Sequence, residues 1–174
     1  MKQSQLPIEQ GDTWRYFKGS HEPPLDWNQV DFDDSNWPIG ASGFGYADGD
    51  DATRITDMRG NYLSLYTRNN FYIEDPGLVG MLTLEVDYDD GFVAYLNGTE
   101  VWRRNLAGDP PGYSTPADGK REAGVPEFIH LNPALLKTGK KVSSFVSVSS
   151  PHKARFSACF EKSKVNLSIF SLAE

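Results

Sequence analysis

"DYDDGFVAYLNGTEV", Asp87 to Val101, decides how this chain folds. Asn97-Gly98 is a strong hairpin signal, because both central residues of a two-residue turn need positive φ, which Asn tolerates and Gly adopts freely. Before it, Phe92–Leu96 is apolar throughout, as a strand covered on both faces is. Asp89-Asp90-Gly91 turns the chain into that strand. Further upstream, "MLTLEVDY" (Met81–Tyr88) puts Leu82, Leu84, Val86 and Tyr88 on one face and Thr83, Glu85 and Asp87 on the other. After the hairpin, "TEVWRR" returns as the partner strand. The stretch then ends on Trp102-Arg103-Arg104-Asn105, a choice that strand building alone does not explain.

The same grammar of short strands between Gly, Pro, Asn and Asp clusters runs through the rest of the chain. "TWRYFKG" (Thr13–Gly19) alternates Trp14 and Tyr16 against Thr13 and Arg15. "YLSLYTRNNFYI" (Tyr62–Ile73) reads as one long strand with an irregular centre at Asn69-Asn70. "PEFIHL", "VSSFVSV", "ARFSACF" and "VNLSIFSL" follow. Helical signals collect only in "NPALLKTGK", where Asn132 suits the cap, Pro133 the first helical position and Gly139 the stop. Asn105 to Gly124 has no strand pattern and reads as a long loop. The expected fold is all-β: a jelly-roll-like β-sandwich of about eight antiparallel strands with one short helix, in a single domain over residues 1–174.

Composition narrows the function. The 174 residues carry a formal net charge of -7, and the 17 basic residues form no long run. Phosphate-backbone binding therefore has no electrostatic footing, and neither has attachment to an anionic membrane. Cys159 stands alone, which excludes an intrachain disulfide and a cysteine-based zinc cluster. His21, His130 and His152 lie far apart, and no Gly-x-Ser-x-Gly elbow, phosphate loop or His-Glu-x-x-His helix occurs.

"GDTWRYF", "FDDSNWPIGASGFGYADGD", "LYTRNNFYI", "DYDDGFVAYLNGTEV" and "LNPALLKTGK", in this order, resemble the galactose-binding-domain-like β-sandwiches. These are accessory domains found beside bacterial hydrolases. The arrangement is also similar to the sugar-binding domain at the N-terminus of β-galactosidase-type glycoside hydrolases. The resemblance is strongest over 11–141. Residues 142–174 are atypical, Ser- and Lys-rich, with the last strands expected at Phe145, Val146 and Val148, then Leu167, Ile169 and Phe170.

The resemblance implies carbohydrate binding by aromatic faces that stack on pyranose C–H groups, with Arg, Asn and Asp bonding hydroxyls. Trp14 and Trp37 read as core. Trp27, in the loop "HEPPLDWNQ", reads either way. Trp102 with Arg103, Arg104 and Asn105 makes a candidate platform; its plainer reading is a ring covering the sandwich edge beneath solvated arginines. Tyr46 and Tyr113 sit in loops expected to neighbour that end. Arg54, Arg59 and Arg68 read as partners for surplus carboxylates. In "YADGDD", Asp48, Asp50 and Asp51 supply hard oxygen ligands around Gly49. A structural calcium ion, which the resemblance favours, and an Asx-rich turn are both open there.

The expected function is a non-catalytic carbohydrate-binding module that recognises a polysaccharide or oligosaccharide, extracellular or periplasmic, beside other domains of a larger protein. The alternatives are a small hydrolase using loop carboxylates or a metal, and a structural or protein-interaction sandwich.

Overall fold

The computed structural model describes residues 4–5, 8–46, 51–148 and 154–162. The strands are β1 (Ser4–Gln5), β2 (Thr13–Lys18), β3 (Ile39–Ala41), β4 (Phe44–Tyr46), β5 (Thr53–Arg54) and β6 (Ser64–Ile73), then β7 (Leu82–Tyr88), β8 (Gly91–Leu96), β9 (Thr99–Arg104), β10 (Glu127–Leu131), β11 (Gly139–Val148) and β12 (Ala154–Lys162). They form two sheets. The larger runs β3-β2-β6-β11-β8-β9 with β1 also on β6, and the smaller runs β10-β7-β12-β4-β5. All pairings are antiparallel except β1 with β6 and β4 with β5. The all-β sandwich is thus as expected, its strand count raised by segments of two or three residues.

Alternation builds the interior. Leu82, Leu84 and Val86 are each 0% exposed and meet Trp14, Phe71, Phe92 and Phe145 of the facing sheet. The apolar run of β8 is explained by a second cluster on the other side of the larger sheet. There Val93 and Tyr95 lie with Tyr66 beneath Trp27, Trp37 and Leu106, contributed by the 20–38 and 105–118 loops. Trp14 is core as expected, while Trp37 is a core residue of this outer cluster, packed against Phe17 and Phe32.

Buried charge pins one of those loops down. Asp34 of "FDDSNW" accepts from Arg68 Nε at 2.9 Å and from Asn70 Nδ2 at 3.1 Å, and faces Arg15 at 3.3 Å. Arg68, its side chain fully buried, also donates to the Trp27 and Gln29 carbonyls and lies over the Phe32 ring. Its expected carboxylate partner is therefore real, and it lies inside the fold.

Three expectations need correction. Asn69-Asn70 does not interrupt β6, whose ladder with β11 is continuous; the amides bond sideways instead, Asn69 to the Thr13 carbonyl and Asn70 to Asp34. The expected helix shrinks to a 3-10 turn at Pro133–Leu135, capped by Asn132, because Gly139, with φ 100, already opens β11. Residues 142–148 and 154–160, atypical in sequence, lie in strands central to the two sheets: β11 between β6 and β8, β12 between β7 and β4. Leu167, Ile169 and Phe170 lie outside the described residues, as does His152.

The two turns around β8 do different work. Asn97-Gly98, φ 53 and 79, closes the β8–β9 hairpin as read from sequence. Asp89-Asp90 carries the chain from the smaller sheet to the larger one. Gly91 is needed just after it, because a Cβ there would sit 2.6 Å from the Asn105 carbonyl.

Candidate functional site

The site is built where β7, β8, β9 and β10 meet. Register across the hairpin pairs Ala94 with Trp102 but Tyr95 with Glu100, leaving Val101 as an extra residue on β9. Such a bulge shifts the alternation by one position. Without it Trp102 would share the face of Glu100; with it, the indole turns into the sandwich interior, 6% exposed and edge-on to Phe92 at 5.1 Å. The expectation of an open tryptophan platform is corrected accordingly.

Arg104, two residues on, shares that inward face at the last position of β9. Its guanidinium lies over the Trp102 ring, 4.9 Å from the centroid. It donates from Nε to Glu127 Oε2 at 3.0 Å. Glu127 opens β10 opposite Val86, so it too is an inward position at the end of a strand. Since β9 and β10 are edge strands of opposite sheets, the Arg104–Glu127 pair clasps the sandwich across its side.

Behind the clasp, Tyr88 Oη donates to Glu127 Oε1 at 2.9 Å, and Arg121 Nε stands 3.3 Å from the same oxygen. Arg121 also lies over the Tyr88 ring and donates to the Tyr88 and Val125 carbonyls. Burial pushes the Tyr88 hydroxyl up to about 12, helped by its bond to Glu127. Burial acts to raise the Glu127 carboxyl as well, but hydrogen bonds from Tyr88 and Arg104 outweigh it and hold that group below its ordinary range.

The acidic turn holds the adjoining loop. Asp87 accepts from Gly124 N at 2.8 Å, Asp89 from Ala123 N at 2.6 Å and Asp90 from Arg121 N at 3.3 Å. Asn105, at φ 48, reaches back to the Asp90 carbonyl with Nδ2 at 2.9 Å.

Of the residues singled out in the sequence, Arg104 and Asn105 meet at this end, both exposed, above buried Trp102. Arg103 points the other way, paired with Glu100 and bonded to the Leu106 and Gly108 carbonyls. Trp27 is 5% exposed in the outer cluster, edge-on to Tyr66 and Tyr95, which settles its ambiguity as packing. Tyr46 is 4% exposed in the main core rather than at a loop tip, because β4 is buried at every position. Tyr113 is half-buried against the outer cluster. Asp48 and Asp50 lie outside the described residues, and Asp51 is partly buried. Among the described residues no group of three or more His, Cys, Asp or Glu is arranged to hold a metal ion.

Sequence reasoning missed Tyr88, Arg121 and Glu127 as members of this end. Glu127 had left a trace: it shares the alternation of Ile129 and Leu131 in "PEFIHL", a charge on an otherwise apolar face. Arg121, in a patternless loop, had left none.

The fold is a two-sheet β-sandwich with this clasped edge. Solved structures share that fold over most of the chain. A Bifidobacterium dentium β-glucuronidase complexed with coumarin-3-O-glucuronide superposes with TM-score 0.54 at 14% identity, over 85% of this chain and 21% of that one. A glycosyl hydrolase family 2 member from Bacteroides cellulosilyticus gives 0.53 at 11% identity, over 89% and 20%. A Faecalibacterium prausnitzii β-glucuronidase gives 0.51 at 14%, over 85% and 22%. The chain thus spans about a fifth of each. No protein-family model and no curated protein matches it.

Proposed function

We propose that the protein is a non-catalytic carbohydrate-binding module that works beside the other domains of a larger glycan-acting protein, outside the cytoplasm. One observation carries this: the chain matches, over most of its own length, only about a fifth of glycoside hydrolases. The donor and acceptor set at the clasped edge, Arg104, Asn105, Glu127 and Tyr88, suits hydroxyl groups. Asp87, Asp89 and Asp90 each accept a backbone N–H from residues 121–124, which gives these carboxylates a part in holding the loop. Asp48, Asp50 and Asp51 are proposed to hold a structural calcium ion, on the ligand chemistry of their loop.

Affinity gel electrophoresis of the folded chain through galactan, xylan, arabinogalactan and β-glucan tests the binding. Retardation on at least one supports it, and free migration through all of them overturns it. A second reading, a protein-interaction sandwich, draws on Phe128 and Val125, 68% and 76% exposed at the start of β10. Unchanged migration together with self-association or domain docking lost in Phe128→Ser would favour it.

A further inference from the structure

The clasped edge contains a group that packing leaves unsatisfied. Trp102 Nε1 is buried and has no hydrogen-bond partner among the described residues, whereas a buried indole N–H ordinarily finds one. The ring has Phe92 at its edge and, over its face, a side chain that is itself 46% exposed, Arg104. Arg104 is tied to Glu127, 35% exposed, in an ion pair that water and hydroxyl groups compete with readily. Glu127 does not depend on Arg104 for its position, because Tyr88 Oη and Arg121 hold its other oxygen.

We propose that Trp102 is a concealed stacking platform with Arg104 as its displaceable cover. A neutral pyranose residue takes the place of the guanidinium on the indole, and its hydroxyls bridge Arg104 and Glu127. This rests on the glycan-binding reading above and assigns its site. The ring supplies the apolar face that pyranose C–H groups need, and Nε1 supplies a donor for a ring or hydroxyl oxygen. Arg104 brings donors and Glu127 acceptors, in direct contact at 3.0 Å and both partly exposed, so hydroxyl groups can bridge them once the guanidinium moves off the ring. The charges point to a neutral ligand: Arg104 and Arg121 are balanced by Glu127 and Asp87, which leaves no surplus positive charge for an anion.

The test uses the full chain with Arg104→Ala, Trp102→Phe and Glu127→Gln, each checked for folding by circular dichroism. Acrylamide quenching of tryptophan emission reads the cover, with Trp102→Phe identifying the signal of that ring among the four tryptophans. Arg104→Ala should at least double the quenching constant of the Trp102 component, and a saturating polysaccharide should leave the parent chain's Trp102 protected. On the polysaccharide that retards the parent chain, Trp102→Phe and Glu127→Gln should each weaken binding at least fivefold. Equal retardation of both variants and the parent overturns this site while leaving the glycan reading standing. Unchanged quenching in Arg104→Ala overturns the cover. A folded parent chain that no polysaccharide retards overturns the glycan reading and this assignment together.

Discussion

Arg103 and Glu100, three residues apart on β9, form a two-point ion pair, Nε to Oε1 at 2.6 Å and Nη2 to Oε2 at 2.5 Å. Residues so spaced on a regular strand point to opposite faces. The pair therefore marks the bulge at Val101, which also turns Trp102 inward. Trp102→Ala, which empties that inward position, should cost about 3–5 kcal/mol, the scale of losing a large buried ring. Glu100→Gln, which removes only a partly exposed ion pair, should cost under about 1 kcal/mol. Urea unfolding of the two variants separates the effects; equal small losses would show that the ring is not packed in the core.

Asp34 and Arg68 tie the 20–38 loop to β6 from within. Asp34→Ala leaves a buried guanidinium without its carboxylate and should destabilise by about 3–5 kcal/mol. Adding Arg68→Met should cost less than the sum of the single changes, so a double-mutant cycle by denaturant unfolding should return a clear coupling.

Leu84 is 0% exposed at the middle of the core, and Phe128 is 68% exposed on a neighbouring strand of the same sheet. Leu84→Ala should cost about 2–5 kcal/mol. Phe128→Ala should stay within about 0.5 kcal/mol, as surface changes do. Thermal melts rank the pair directly.

The clasp responds to acid. The Glu127 carboxyl is held below its ordinary value of 4.5 in the folded chain, where Tyr88, Arg104 and Arg121 face it. A depressed folded value means that the contribution to stability is present above the unfolded value and lost as pH falls through the folded one. Stability measured between pH 6 and 3 should therefore fall less in Glu127→Gln than in the parent chain. Parallel pH profiles would remove Glu127 from that titration.

Calcium is checked by a melt with the ion and with chelator. A rise in midpoint that Asp50→Asn abolishes is the expected outcome, and no shift reduces the "DGDD" loop to a turn.

Alternation made the fold legible. Leu82, Leu84 and Val86 announce an inner face, and Asn97-Gly98 announces its hairpin without ambiguity. The apolar run Phe92–Leu96 correctly implied cover on both sides, although what covers the outer face, Trp27 and Trp37 on a loop, lies too far along the chain for any local pattern to show. The site was half visible. Trp102 and Arg104 stood out as unnecessary to a strand, but their faces depend on one inserted residue, and a single-residue shift inverts every inference drawn from alternation. Glu127 and Arg121 enter through pairing between distant segments, which one sequence does not encode at short range.

The placement of β11 and β12 has a kinetic consequence. Each sheet receives its middle member from the last third of the chain, so before residue 139 emerges neither layer can zip together, and β6, β7 and β8 wait with unpaired edges. Such long-range closure is slow and leaves partly made sandwiches prone to aggregate. Synthesis stalled or cut short before that point should yield insoluble material rather than a smaller working module.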